Sequence, residues 1–392
     1  MRILISILYL TIYSSLLGTA FADDADSINP VVIELESAQR LSVTGEALAG
    51  KRVVYVGETH NAYQDHLVQL DLLRQLHQTN PDLAIGVEWF QTPYQNYLDD
   101  YIAARISEKE MLEQTEYFSR WRFDYRLYRP IMNYARKHAI PVIALNAPVE
   151  LIRAISSKGL DNLPEELKAQ LPSAYDFSNK AYEEVLELVY KMHPERDGEF
   201  QWFYESQLTW DETMADNVAD YLKENPQKRM IVFAGRGHIS HGYGIPSRVS
   251  RRIQAEDATV ITHSGDVFDL NIADFLVFAK EVKLLAQGKL GALIGVDMKG
   301  VKITGFTSNS AAQKAGLKKD DVITSVDGQD ISSYTDLKYS IMDKKIGDRV
   351  EVTYQRKPLF FNVREKTVAF DLGSAQISPH YPVDRRHGNS EK

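Results

Sequence analysis

Two copies of one short pattern stand far apart in the chain. Gly57-Glu58-Thr59-His60 follows the β-branched and aromatic run Val53-Val54-Tyr55-Val56, and Gly235-Arg236-Gly237-His238 follows the apolar run from Met230 to Ala234. A single Gly-x-x-His arises often by chance. Two copies, each at the end of a buried-strand pattern, are a stronger signal. A carboxylate beside an imidazole in such a place can transfer protons or hold a metal ion. Glu88, at the end of the apolar run Leu83 to Val87, adds a second carboxylate at a strand end. Glu212 comes from a long helical stretch that also carries Gln207, Asp211 and Asp216. Acidic residues on a long helix ordinarily mark a solvated face, but a helix laid over the strand ends would aim one of them inward. The expected centre is therefore His60, Glu88, Glu212 and His238, with Glu58 as a further acid or base. Two carboxylates buried together repel each other and raise at least one pKa. A divalent transition metal such as Mn²⁺, Fe²⁺, Co²⁺ or Zn²⁺ would relieve that repulsion, and the mixed N/O donor set excludes none of them.

The elements that position these residues follow from hydrophobic periodicity. Strands are expected at Val53–Val56, Leu83–Val87, Pro141–Leu145, Met230–Ala234 and Thr259–Thr262, separated by helical stretches at about 63–77, 130–138, 180–192 and 199–224. Alternating strands and helices with long crossovers predict an α/β domain with a parallel central sheet flanked by helices. Ligands bind such sheets at the carboxyl ends of the strands, where the two histidines fall. If the strands carrying His60 and Glu88 are neighbours, their side chains converge.

The segment from Tyr117 to Pro130 is the most aromatic of the chain. Phe118, Trp121, Tyr125 and Tyr128 fall at helical spacing, with Arg120, Arg122, Arg126 and Arg129 between and beside them. The ordinary explanation is an amphipathic helix whose rings face the core. The functional one is a flat, apolar, anionic ligand stacked on rings and paired with arginines. Haem fits that description, with Tyr125 or Tyr128 as axial ligand and Arg122 and Arg129 near its propionates. A homodimer is one arrangement that supplies further propionate partners.

Composition sets the frame. With 392 residues, 44% hydrophobic and 25% charged, the chain is long enough for two globular domains. A net charge of −9 argues against a nucleic-acid partner. Residues 1–22 read as a cleavable signal peptide: Arg2, an apolar run from Ile3 to Leu17, and Ala20-Phe21-Ala22 as the cleavage site. The sequence has no cysteine, so it has no disulfide, no thiolate ligand and no lipid attachment on cysteine. A periplasmic protein is expected.

Beyond Ala273 the character changes. A connector helix is expected over 271–287, then short strands, glycine turns and one helix. Ser310-Ala311-Ala312-Gln313-Lys314-Ala315-Gly316-Leu317-Lys318-Lys319-Asp320-Asp321-Val322-Ile323 resembles the bacterial HtrA type of PDZ domain, over residues 288–368. Ser310 stands where proline is common in that pattern. The resemblance implies a small β-barrel-like domain in which Leu293, Ile294, Gly295 and Val296 form the carboxylate-binding loop for peptide C-termini. Residues 369–392 are expected to be a disordered tail.

The first domain, residues 31–270, carries a second resemblance. Val54-Tyr55-Val56-Gly57-Glu58-Thr59-His60, Gly86-Val87-Glu88-Trp89-Phe90, Ala144-Leu145-Asn146-Ala147-Pro148, Asp211-Glu212-Thr213-Met214-Ala215 and Gly235-Arg236-Gly237-His238 together are similar to the ChaN family of haem-binding uptake proteins in the Tiki superfamily. The superfamily pattern of two glutamates and two Gly-x-x-His motifs pairs Glu88 with His60 and Glu212 with His238. The resemblance implies haem binding through a tyrosine and a role in iron uptake. Tiki relatives resemble metal-dependent proteases, and erythromycin esterases are more distant hydrolytic relatives. Haem binding is the first expectation, and a metal-dependent hydrolase using the His/Glu set, with a glutamate as base, is the alternative.

Overall fold

The computed structural model describes residues 41, 47–192, 198–262, 269–297, 300–357 and 363–374; the expected signal peptide lies outside the described residues. The chain forms two compact units, one built up to Ser107 and from Arg120 to Lys283, the other from Glu108–Ser119 and from Leu284 onward.

In the first unit, β1 (Val53–Glu58) leads to α1 (Tyr63–Thr79), β2 (Leu83–Gln91) and α2 (Gln95–Ile102). The chain then contributes α3 (Glu108–Gln114) to the second unit before returning through α4 (Arg129–Lys137), β3 (Val142–Asn146) and α5 (Val149–Lys158). The remaining elements are α6 (Lys180–Lys191), α7 (Phe200–Glu224), β4 (Arg229–Gly235), α8 (Ile245–Arg252), β5 (Asp257–Thr262) and β6 (Phe275–Val277). The strands form one sheet in the order β3-β2-β4-β1-β5-β6, and every pairing is parallel. β1 and β2 are not neighbours, the condition under which His60 and Glu88 were expected to converge. β4 lies between them, pairing Val53 with Met230 on one side and Leu83 with Arg229 on the other. All of β1 and β2 is buried, as expected for near-continuous apolar strands covered on both faces. Helix α7 packs its Met214, Ala215, Val218 and Leu222 onto Val53, Tyr55, Met230 and Val232 of the sheet.

Three local expectations change. Gly57 does not lie beyond the end of β1, where the expected strand Val53–Val56 would have left it. It lies within the strand, where a Cβ would collide with Ile261 Cδ1 and come within 3.1 Å of Arg236 Cα. The aromatic segment is not one helix. A turn at Tyr117–Arg120 and a 3₁₀ turn at Tyr125–Leu127 are separated by Arg122 at φ +72°, which a continuous helix cannot contain. The connector helix over 271–287 is absent: Phe275–Val277 pairs as β6 with Val260–Thr262, and residues 278–286 have no regular structure. Sheet pairing of a β-prone Phe-Leu-Val run outweighs the helix propensity of the Ala, Lys, Glu and Leu residues around it.

The second unit is an antiparallel sheet of β7 (Ala292–Asp297), β8 (Gly300–Phe306), β9 (Val322–Val326), β10 (Gln329–Asp330), β11 (Arg349–Arg356) and β12 (Arg364–Asp371), with α9 (Tyr334–Ser340) before β11. The order is β12-β11-β9-β8-β7, with β10 on β9. Val301, Ile303, Ile323, Val326, Leu337, Val350 and Val352 fill its core. Leu293 to Val296 belong to strand β7, and not to a loop, because they pair with β8 through Ile294–Ile303 and Gly295–Lys302. The expected tail also begins too early. Phe370 and Leu372 are buried in this core and Gly373 bridges to Lys289, so residues 369–374 complete the sheet; residues 375–392 lie outside those described. Asp321, from the motif that carried the PDZ resemblance, is buried and makes a two-pronged pair with Arg356, both contacts at 2.6 Å.

Candidate functional site

The register of the sheet dictates which side chains meet. The β1–β4 ladder ends at Glu58–Gly235, and the β2–β4 ladder ends at Val87–Phe233. Glu88 is thus the first β2 residue free of the ladder, beside the point where β4 turns into the Arg236–His238 turn. Gly235 N–H donates to Glu88 Oε2 at 2.6 Å and fixes the carboxylate. Both imidazoles then face the other oxygen: His238 Nε2 is 3.5 Å and His60 Nε2 is 4.0 Å from Glu88 Oε1. His60, Glu88 and His238 retain only slight exposure, 2%, 6% and 5%, so the centre meets solvent through at most a narrow opening.

Each imidazole is backed by a buried carboxylate. His60 Nδ1–H donates to Glu58 Oε1 at 2.8 Å, and His238 Nδ1–H donates to Asp211 Oδ1 at 2.7 Å. Asp211 Oδ2 also accepts from the Tyr182 hydroxyl at 2.6 Å. Glu58 Oε2 lies 2.9 Å from His66 Nδ1, while His66 Nε2–H donates to the His60 carbonyl at 3.1 Å. Holding Nδ1 in this way directs both Nε2 atoms toward Glu88 and fixes ring orientation, the outer-shell arrangement that accompanies metal-bound or proton-transferring histidines. Trp121 and Phe123 wall the His60 ring at centroid distances of 5.0 and 4.9 Å.

Charge follows from this packing. Burial pushes His238 down, but Glu88 and Asp211 overcome it and raise the imidazole to about 10. Burial pushes Glu58 up, and the charge of His66 with the hydrogen bonds of His60 and His66 overrides it, holding the carboxyl at about 2. Glu88 is likewise held below the usual range: burial opposes, while His238, His60 and the Gly235 N–H prevail. His66 is raised, its burial outweighed by Glu58. At neutral pH the centre therefore holds an imidazolium at His238 between two carboxylates.

Glu212 is the correction. Its carboxylate is fully buried but turns away from the histidines, meeting Arg251 Nη2 at 2.8 Å, Arg252 Nη2 at 2.7 Å, Arg248 Nε at 3.1 Å and the Asp176 N–H at 2.8 Å. Adjacent helix positions point about 100° apart, so when Asp211 faces His238, Glu212 faces α8. Asp211, His66 and Tyr182 were missed as site residues. The available signal for Asp211 was its place beside Glu212, and for His66 its place on the helix directly after His60.

The expected haem ligands lie in the core. Tyr125 and Tyr128 are both completely buried, and the Tyr128 hydroxyl donates to the His60 carbonyl at 3.3 Å. Arg129 lies over the Tyr125 ring at 5.9 Å, and Arg122 is exposed. As packed, neither phenol offers an oxygen to a macrocycle; reaching one would require unpacking rings that also contact Trp89 and His66. Donors sharing an ion at about 2 Å in tetrahedral geometry stand about 3.3 Å apart. The His238–Glu88 spacing is close to that value and the His60–Glu88 spacing is wider, and among the described residues no three His, Asp or Glu side chains already enclose one point.

A parallel sheet with backed histidines at its carboxyl edge, followed by an antiparallel PDZ-type sheet, defines the class of protein. The chain belongs to the family described as "Haem-binding uptake, Tiki superfamily, ChaN", which matches residues 45–249, and a PDZ domain matches residues 287–369. The first unit is similar to a solved structure of cofacial haem binding to ChaN of Campylobacter jejuni, with TM-score 0.50 and 18% identity, over 61% of this chain and 91% of that one. Among curated proteins, the chain is 24% identical over 238 residues to Protein RETICULATA-RELATED 5, chloroplastic, of Arabidopsis thaliana, covering 55% of this chain and 31% of that protein. The C-terminal region is 37% identical over 79 residues to a probable periplasmic serine protease do/HhoA-like of Haemophilus influenzae, covering 20% of this chain and 16% of that protein. The chain thus spans less than a third of the length of either curated relative.

Proposed function

We propose that this is a periplasmic haem-handling protein serving haem or iron uptake, with a PDZ unit that captures the C-termini of partner proteins. Membership of the ChaN family over residues 45–249 carries the haem assignment. The signal-peptide pattern at residues 1–22 supports the location. Strand β7 supports peptide capture, because it is the last strand on its side of the sheet order and an extended peptide adds to such an edge. The burial of Tyr125 and Tyr128 moves haem ligation away from those two phenols.

One observation favours a second assignment for the buried centre. Both imidazoles have Nδ1 fixed by a carboxylate and Nε2 turned to Glu88 Oε1. That set suits a divalent metal-dependent hydrolase in which His60, Glu88 and His238 would hold the ion with Glu58 and Asp211 behind them. The metal would lower the pKa of a bound water. A haemin titration followed by absorbance, run beside metal analysis of the purified protein, separates the two. Haemin binding in wild type and in His60→Ala alike supports a haem site distinct from the centre. A stoichiometric divalent metal lost in His60→Ala, with no haemin binding, overturns the haem assignment in favour of the hydrolase.

A further inference from the structure

Between β6 and β7 the chain crosses a stretch whose sequence is equipped for a helix that the structure does not form. Residues 278–287 are rich in Ala, Leu, Lys, Glu and Gln and contain neither glycine nor proline. At 100° per residue, Phe278, Val282 and Leu285 fall within about 60° of one another, with Ala279 and Ala286 beside them. Lys280, Lys283 and Gln287 fall on the opposite side, where Leu284 alone interrupts the polar face. Gly288 follows as a helix stop.

In the structure this pattern is unused. Residues 278–286 lie in no helix or strand, and among the described residues no backbone hydrogen bond holds them. Leu285 is 68% exposed, Phe278 56% and Val282 39%. Lys283 and Glu281 stand 3.4 Å apart, but both are exposed, and such a pair contributes little. A helix of ten residues is marginal in water unless its apolar face is covered. The charges indicate the cover: Lys280, Lys283 and Lys289 stand against the single Glu281. An anionic phospholipid surface offers acyl chains to the apolar face and negative headgroups to the lysines beside it. The helix would be about 15 Å long, too short to cross the hydrocarbon core, and would lie along the interface. The chain as a whole carries a net charge of −9, so its attraction to an anionic surface has to be local to such a basic segment.

We propose that residues 278–287 are a membrane-docking segment, which folds into an amphipathic helix on an anionic phospholipid surface. Phe278, Val282 and Leu285 enter the acyl boundary, and Lys280 and Lys283 meet the headgroups. Each peptide group then gains a helical partner at the moment it leaves water, which is what makes insertion of this apolar face favourable. The proposal stands apart from the haem and peptide assignments.

The test uses the protein without residues 1–22, so that the apolar run Ile3–Leu17 does not itself bind lipid. Co-flotation is measured with vesicles of phosphatidylcholine and phosphatidylglycerol, and with vesicles of phosphatidylcholine alone. Wild type is expected to float with the anionic vesicles, and at least tenfold more weakly with the neutral ones or in high salt. Leu285→Asp, and Lys280→Glu combined with Lys283→Glu, should each weaken binding at least tenfold. These side chains are exposed, so their replacement leaves both cores intact. The chain has no cysteine, so Leu285→Cys and Lys283→Cys each carry a single environment-sensitive fluorophore. Vesicles should shift the emission at position 285 to the blue and leave that at 283 near its aqueous value. No flotation of the wild type, or flotation unchanged in Leu285→Asp, overturns the proposal, and equal shifts at the two positions overturn the helix. A shift at 285 that grows with protein concentration in the absence of vesicles gives this face to a second copy of the chain and overturns the lipid assignment.

Discussion

Replacing Asp211 by Asn tests the account of the buried centre most directly. The substitution keeps the shape of the side chain but removes the charge that receives both His238 Nδ1–H and the Tyr182 hydroxyl. In the wild type His238 is raised from 6.5 to about 10. At about 1.4 kcal/mol per pKa unit this corresponds to an upper bound of roughly 5 kcal/mol of proton-linked stability. The sign follows from the folded value lying above the unfolded one. The contribution is complete below pH 6.5 and is lost as pH rises through about 10. Asp211 is one of two carboxylates responsible, and a hydrogen bond to a charged group contributes about 1.5–3 kcal/mol. Asp211→Asn should therefore destabilise the metal-free protein by ~2–3 kcal/mol at pH 6 and by less at pH 10, where only the loss of a charged acceptor for the Tyr182 hydroxyl remains. Urea unfolding followed by tryptophan fluorescence reads this unit alone, because all 4 tryptophans of the chain, Trp89, Trp121, Trp202 and Trp210, lie in it. A loss of stability that is the same at both pH values would refute the assignment of a protonated His238 held by Asp211.

Glu212→Gln leaves Arg248, Arg251 and Arg252 without their shared buried carboxylate, so the same fluorescence assay should show a loss of ~3–5 kcal/mol. Metal content, if any, should change little, and its disappearance with fold retained would return Glu212 to the centre. Gly57→Ala should destabilise by ~1–3 kcal/mol, measured by the same unfolding, because its methyl group meets Ile261 and the backbone of Arg236. Peptides with a free apolar C-terminus should bind the full-length protein in a fluorescence-anisotropy titration, and their amidated forms at least tenfold more weakly. Equal affinity for the two would rule out capture of a carboxylate beside β7.

Much of this fold could be read from the sequence because its strands are short apolar runs bounded by glycine or polar residues. The parallel sheet and the strand-end placement of His60, Glu88 and His238 follow from that pattern, and the PDZ unit followed from the resemblance of residues 310–323. The choice between Asp211 and Glu212 could not follow from it. Both lie on a helix buried along several faces, where hydrophobic periodicity gives the rotational phase poorly. The tyrosines failed for a related reason: the helical spacing of Phe118, Trp121, Tyr125 and Tyr128 gave neither the break at Arg122 nor whether Tyr125 and Tyr128 face a ligand or the core. The connector failed because strand β6 depends on a partner, Val260–Thr262, supplied by tertiary pairing.

The position of β4 between β1 and β2 also governs how the protein must be made. The register joins Val53 to Met230 and Leu83 to Arg229, so during synthesis the first two strands emerge long before the strand that separates them. They cannot pair stably with each other and still reach the final sheet, because β4 must come to lie between them. Glu88 gains the Gly235 N–H and its facing His238 only at that moment. Until then its carboxylate has no imidazolium beside it, and the exposed edges of β1 and β2 are open to the wrong partner. Insertion of β4 and assembly of the centre are one event, after which only β5 and β6 remain to be added beside β1.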